Sequence, residues 1–266
     1  MELRTDKCFY LRTHDCLRVA SIGTRVKGFV GFFMFLNSNG DSLRAVPINF
    51  EFNDRIYDAI LKPDLTFVVY GFYTDTTGPN NAPFVANVDS TGAILWFQEY
   101  DDSTKYEEVT NIEATQDGGY IIGGKENSFG GHRNLYMIKI DSVGNQEWKQ
   151  VYNEPLSQSF GYVTTCQNGD FAIVGTGYGT QKARQSIIRT DSAGNLLWQR
   201  KFGNPLYDEG FQYVKELPNG DFICAGNNTR LHNGVEIPDI NLKLLDSQGS
   251  LIWNKSYNYY NTQVHQ

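Results

Sequence analysis

The chain has 266 residues, 40% of them hydrophobic and 20% charged, with a formal net charge of −7. That acidic balance argues against a nucleic-acid or anionic-membrane partner, which would want a basic face. No run approaches the roughly 18 consecutive apolar residues of a membrane-spanning helix, so neither a nucleic-acid partner nor membrane insertion is expected.

In chain order the elements repeat. Residues 7–24 place Thr13-His14-Asp15 between two β-rich runs, matching Thr115-Gln116-Asp117 two periods downstream. Gly28 to Val46 then supplies FVGFFMFL and the turn Asn37-Ser38-Asn39-Gly40. The next unit reads IYDAIL, LTFVVYG, PFVANVD and AILWFQEY, with turns at Asp64-Leu65-Thr66-Phe67 and Asp89-Ser90-Thr91-Gly92. The third turns at Asp117-Gly118-Gly119-Tyr120 and Asp141-Ser142-Val143-Gly144. The fourth turns at Asn168-Gly169-Asp170-Phe171 and Asp191-Ser192-Ala193-Gly194, and the fifth at Asn219-Gly220-Asp221-Phe222 and Asp246-Ser247-Gln248-Gly249. The glycines that close the later turn of each unit are separated by 52, 52, 50 and 55 residues. These are hairpin turns: Asp or Asn caps the backbone, and Gly accepts φ > 0.

Four strand-like runs at a fixed period are the signature of a β-propeller blade. The expected fold is all-β, a propeller of about five four-stranded blades in one domain, over residues 7–48, 54–100, 106–152, 158–202 and 209–257. A single blade cannot bury both faces and needs neighbours. Five blades can be a closed ring, a ring whose two ends share a blade, or part of a larger propeller. Residues 258–266 read as a polar, frayed tail.

Four residues after the turn glycines stand Trp96, Trp148, Trp198 and Trp253, all the tryptophans of the chain, while Arg44 holds the place in the first unit. An aromatic recurring once per blade reads as a docking residue that buries its ring and gives its N–H a backbone acceptor. Asp54, Glu107, Gln158 and Glu209 form a second column, each thirteen residues ahead of the aromatic after the first turn. Acidic and amide groups at a channel mouth suit a cation or the hydroxyls of a sugar. Hydrogen bonding between blades, or plain solvation, is the stronger competing account. Asn227 to Asp239 reads as the longest loop, a binding loop or a tolerated insertion.

Catalytic constellations are weak. The four histidines are scattered, and no nucleophile elbow, zinc pair or phosphate loop occurs. Calcium needs six to eight converging oxygens, and each Asp-Ser-x-Gly turn offers one carboxylate. No metal and no cofactor are expected. Cys8, Cys16, Cys166 and Cys224 show no metal spacing and read as unpaired, with Cys166 and Cys224 inside strands as small hydrophobes.

The unit DGGYIIGG…LYMIKIDSVGNQEWKQVY resembles the propeller repeats of secreted and surface proteins of Bacteroidetes-type bacteria. Val88 to Trp96, VDSTGAILW, is similar to the tryptophan-docking repeat of quinoprotein-like (PQQ-like) propellers, and less so to the sialidase Asp-box. The resemblance covers about residues 7–257. It implies a propeller fold and an extracellular or cell-surface location. It carries no PQQ ligands to this sequence. The start, MELRTDKCFYLRTHDC, lacks the apolar core of a signal peptide, which leaves a cytosolic protein and a chain without its native start both open. The leading expectation is a non-enzymatic binding or scaffold propeller that meets a protein or glycan through one face. The alternative is a carbohydrate-active enzyme, a glycoside hydrolase or lyase using Asp54, Glu107 and Glu209. Oligomeric state is left open.

Overall fold

Twenty strands follow one another, with no helix among the described residues, in the computed structural model. The structure describes residues 3–12, 15–24, 28–37, 39, 41–48, 50, 53–74, 81–100, 105–127, 132–153, 157–178, 182–203, 206, 208–232 and 235–257. The 258–266 tail lies outside them.

The first sheet holds β1 (Leu3–Arg12), β2 (Asp15–Thr24), β3 (Gly28–Leu36) and β4 (Ser42–Ile48). The second holds β5 (Asn53–Leu61), β6 (Phe67–Thr74), β7 (Asn81–Val88) and β8 (Ile94–Glu99). The third holds β9 (Tyr106–Ala114), β10 (Tyr120–Asn127), β11 (Arg133–Ile140) and β12 (Gln146–Tyr152). The fourth holds β13 (Ser157–Thr165), β14 (Phe171–Tyr178), β15 (Arg184–Thr190) and β16 (Leu196–Phe202). The fifth holds β17 (Glu209–Glu216), β18 (Phe222–His232), β19 (Val235–Leu245) and β20 (Leu251–Tyr257). Each sheet is an antiparallel meander in sequence order, so the fold class is all-β, with five four-stranded propeller blades.

The blades repeat one another down to their irregularities. A bulge interrupts the first strand between Thr5 and Lys7, Ile56 and Asp58, Phe160 and Tyr162, and Phe211 and Tyr213. A second interrupts the third-to-fourth strand pairing at Phe35/Leu36, Asn87/Val88, Arg189/Thr190 and Leu244/Leu245. Bulges strengthen local twist, and a twist repeated in each of these sheets keeps their faces matched for stacking.

The chain divides into two compact units, residues 1–111 with 140–145, and residues 112–139 with 146–266. The first is cored by aromatics. Phe33 packs on Phe67 with centroids 4.6 Å apart, and Phe84 on Phe50 and Phe97 at 4.9 and 5.3 Å. The second shows strand alternation directly. Phe171, Ile173 and Ile188 join Ile121, Leu135 and Met137 on one face of the fourth blade. Ala172, Val174 and Ile187 join Phe211, Phe222, Cys224 and Leu245 on the other. Burying each large aliphatic or aromatic side chain contributes roughly 1.5–3 kcal/mol.

Tryptophan, turn glycine and tyrosine tie successive blades together. In the first unit, a Cβ on Gly144 would lie 2.8 Å from Trp96 Cζ3, so the ring lies against a turn that tolerates no side chain there. In the second, Gly194 stands likewise 2.9 Å from Trp148 Cζ3, and Gly249 2.8 Å from Trp198 Cζ3. The hydrogen bond to the facing turn is donated by the tyrosine four residues on: Tyr100 Oη to Gly144 O at 2.7 Å, and Tyr152 Oη to Gly194 O at 3.0 Å. Burial pushes both phenol pKa values up. At the next step Phe202 has no hydroxyl, and Arg200 Nη2 donates instead to Gln248 O at 2.8 Å. The tryptophan rings are half-buried. Trp253 carries Lys255 Nζ 5.4 Å from its ring centroid. Arg44, in the tryptophan position of the first blade, lies over Phe35 at 4.0 Å.

Two sequence expectations are corrected. Asn227 to Asp239 is not a loop: β18 and β19 continue as paired strands from Asn227↔Ile240 to His232↔Val235. Alternating residues on both sides of Asn233-Gly234, a strong hairpin dipeptide, extend the ladder. Cys166 stands just past β13, where its backbone closes the turn with Asp170 and Gly169.

Candidate functional site

The four column residues begin, or nearly begin, the first strands of their sheets. Asp54 stands opposite Tyr73 in β5, and its side chain is outside the described residues. Glu107 in β9 is fully buried. These two belong to the first unit, and Gln158 and Glu209 to the second. Gln158 is buried opposite Gly177, whose missing Cβ would lie 2.9 Å from its Nε2. Burial withholds Glu107 and Gln158 from direct contact with a ligand in this conformation.

Glu209 is different. It opens β17 with a side chain 11% exposed, and its carboxylate faces Lys243 Nζ at 3.4 Å. The pairing of β18 with β19 puts Cys224 opposite Lys243 and Gly226 opposite Asn241. Alternation then sends both polar side chains to the face that also carries Phe222 and Cys224. The result is a polar cluster above an apolar floor. Lys243 Nζ donates to Asn241 Oδ1 at 3.0 Å, and Gln185 Nε2 donates to the same oxygen at 3.0 Å. Asn241 Nδ2 reaches Asn254 Oδ1 at 2.7 Å and Ser256 Oγ at 3.2 Å, and Asn228 Nδ2 reaches Ser256 Oγ at 3.0 Å. Lys243, Asn241 and Gln185 are buried, while Asn254 and Ser256 are exposed and open the cluster to solvent. Burial lowers the Lys243 pKa, with Glu209 opposing the shift.

Two amide oxygens in this cluster, Gln185 Oε1 and Asn228 Oδ1, are buried without a donor among the described residues. Buried acceptors are nearly always satisfied, so each calls for an O–H or N–H from water or a ligand. Surplus acceptors, an ammonium and a carboxylate together match the mixed donors and acceptors of a polyhydroxylated molecule.

A second convergence lies at the other end of the first strands. Lys215 Nζ sits 3.2 Å from Glu113 Oε2 and 3.1 Å from Thr164 Oγ1, and Thr165 N donates to Glu113 Oε2 at 3.0 Å. Glu113, Thr164 and Lys215 occupy one position in three successive blades. Each meets its partners' hydrogen-bonding needs, so the trio is a structural clasp. No group of three His, Cys, Asp or Glu with metal-binding arrangement occurs among the described residues.

Neither convergence was read from the sequence. Lys243 and Asn241 reach Glu209's side of the fifth sheet through strand register, and Gln185 of the fourth sheet meets Asn241 through packing between blades. Glu113, Thr164 and Lys215 differ in type, so their 51-residue spacing carried no chemical signal.

No known family's model matches the chain, and no curated protein does. Solved structures do. A GH43 β-1,3-galactosidase superposes with a TM-score of 0.51 at 11% identity, over 95% of this chain and 59% of that one. A puromycin hydrolase gives 0.56 at 14%, over 96% of this chain and 37% of that one. A mutant apocarotenoid oxygenase of Synechocystis gives 0.55 at 13%, over 92% and 58%. The chain thus spans between about a third and three fifths of these proteins. At such identities the likeness is one of fold, and function has to be argued from the site.

Proposed function

We propose that the chain acts on carbohydrate, as an enzyme of glycoside-hydrolase type whose substrate contacts include Glu209. The observation that carries this reading is the Glu209 cluster. A partly exposed carboxylate is paired to a buried ammonium, with Asn241, Gln185, Asn228 and Ser256 around it and two buried amide oxygens short of a donor. Sugar hydroxyls can satisfy such acceptors and accept from the same amides. Glycoside hydrolysis needs two carboxyl groups flanking the scissile bond. Glu209 supplies one candidate. The fold shared with a GH43 β-1,3-galactosidase supports the reading. The resemblance of the repeats to secreted Bacteroidetes-type propellers supports an extracellular or cell-surface setting, where polysaccharide is met.

The test is incubation with β-1,3-linked galactosides and a wider oligosaccharide set, with products read by chromatography. New products that disappear in Glu209→Gln support the proposal; activity undiminished in that variant removes Glu209 from it.

One observation favours a second reading, glycan binding without turnover. Glu107 is fully buried and Glu209 is held by Lys243, whereas binding needs only the amides and hydroxyls. A thermal shift with an oligosaccharide that is never cleaved would select it. A ligand that binds only the folded state adds about 2.7 kcal/mol at a hundredfold excess over its dissociation constant.

A further inference from the structure

A cleft of about 390 Å³ opens in the second unit, lined by Asp170, Arg189, Leu197, Trp198, Ser247 and Gln248. It lies between the outer part of the fourth blade and the β19–β20 turn of the fifth. That volume is within the range of small-molecule sites, which pair an apolar wall with a few convergent polar groups. Here the apolar wall is Leu197, 52% exposed, with Trp198. The polar groups are the Asp170 carboxylate, the Arg189 guanidinium, the Ser247 hydroxyl and the Gln248 amide.

The charges narrow the ligand. Arg189 Nη2 lies 3.3 Å from Asp170 Oδ2, and its Nη1 lies 3.6 Å from Glu216 Oε1. A second guanidinium, Arg200, lies over the Trp198 ring at 5.4 Å and donates to Gln248 O at 2.8 Å, so the two carboxylates are matched by two cations. A neutral ligand needs no counter-charge in such a balanced corner and can use the guanidiniums' remaining donors.

The equivalent corner of the third blade is filled differently. Lys139 takes the place of Arg189, and Glu147 the place of Leu197. Lys139 Nζ is bridged to Glu147 at 3.0 Å and to Asp117 at 2.9 Å. An ion pair thus closes one junction, whereas an exposed leucine lines the cleft at the other. Of the two exchanges, Glu147 to Leu197 replaces a paired charge with a hydrocarbon wall.

We propose that this cleft binds a single neutral pyranose ring. The C–H face of the sugar lies on Leu197 and Trp198, as apolar sugar faces do on aromatic and aliphatic walls. Its hydroxyls pair with Asp170, Arg189, Ser247 and Gln248. This site is separate from the Glu209 cluster and does not depend on turnover there.

Ligand-observed NMR and calorimetric titration with methyl β-galactoside, methyl β-glucoside, methyl α-mannoside and methyl β-glucuronide test it. At least one neutral pyranoside should bind, and the glucuronide no more tightly. Leu197→Glu, which imports the third blade's carboxylate, should weaken binding at least tenfold. Gln248→Ala, at an exposed turn, should weaken it at least threefold and serves if Leu197→Glu folds poorly. Glu209→Gln should leave this binding unchanged. Failure of the folded wild type to bind any neutral pyranoside overturns the proposal, as does binding that survives both cleft variants. Binding lost in Glu209→Gln but kept in the cleft variants also overturns it, and assigns the sugar to the other cluster.

Discussion

Gly118 and Gly144 make a matched pair for testing how the blades dock. Both sit in hairpin turns with positive φ, +84° and +90°. A Cβ added at Gly118 would meet nothing within 4 Å, whereas one at Gly144 would lie 2.8 Å from Trp96 Cζ3, 2.9 Å from Gln98 Cγ and 3.0 Å from Trp96 Cε3. Alanine in the left-handed region is disfavoured by about 1–2 kcal/mol. Its stiffer unfolded chain returns about 0.4–1 kcal/mol. Gly118→Ala should therefore destabilise by about 0.5–1 kcal/mol. Gly144→Ala carries the same backbone term plus overpacking against the indole, typically about 1–3 kcal/mol, for a total of about 2–4 kcal/mol. Urea denaturation of both variants with a common m-value measures the difference. Combining Gly144→Ala with Trp96→Leu should recover part of the loss, since residues in contact show coupling of about 0.5–3 kcal/mol. Equal losses for the two glycines, or additive losses in the double variant, would refute the idea that the tryptophan ring packs on the facing turn.

Further expected outcomes concern the same framework. Tyr100→Phe should cost about 1–2 kcal/mol in chemical denaturation, because the phenol donates to the Gly144 carbonyl in a buried bond. Bonds from Thr66 to Asp64, and from Thr115 and Lys139 to Asp117, hold both carboxyl pKa values at about 2, below the ordinary value of 3.8. A carboxylate whose folded pKa is depressed stabilises fully above its unfolded value and loses that contribution as pH falls through the folded one. The denaturation midpoint should therefore decline from about pH 4 to pH 2, and less steeply in Asp117→Asn. Lys243→Met should destabilise by about 3 kcal/mol, since it removes the buried ammonium that faces the Glu209 carboxylate. Adding Glu209→Leu should recover most of that loss, and a double variant as unstable as the single would contradict the pairing.

Much of the fold was legible because hairpin turns restrict residue types. Asp-Ser-x-Gly marks the second to fifth blades and Asn-Gly-Asp the fourth and fifth, each with its glycine at positive φ. The second blade shows the limit of that signal. Leu65 stands at φ +64° in the position held by Gly118, Gly169 and Gly220, and the turn forms with the same hydrogen bonds, Lys62 N to Thr66 O and Leu65 N to Lys62 O. Local geometry there is imposed by the flanking strands and by Asp64, which accepts from Thr66. The β18–β19 extension was missed because Pro238 and a run of polar residues look like loop, although Pro238 sits opposite Thr229 within the ladder. The site was less legible than the fold. A column of like residues can be counted along the chain, but Lys243 and Glu209 are 34 positions apart and meet only through the register of three strands. The clasp of Glu113, Thr164 and Lys215 joins three unlike residues and leaves no compositional trace.

The most direct test of carbohydrate action is reducing-sugar release from a β-1,3-linked galactoside by the wild type beside Glu209→Gln, with the cooperative unfolding of both verified. The account predicts release by the wild type and a loss of at least a hundredfold in the variant, the scale of a missing catalytic proton-transfer group. Release at equal rates, or binding of the oligosaccharide with no release by either protein, would contradict it.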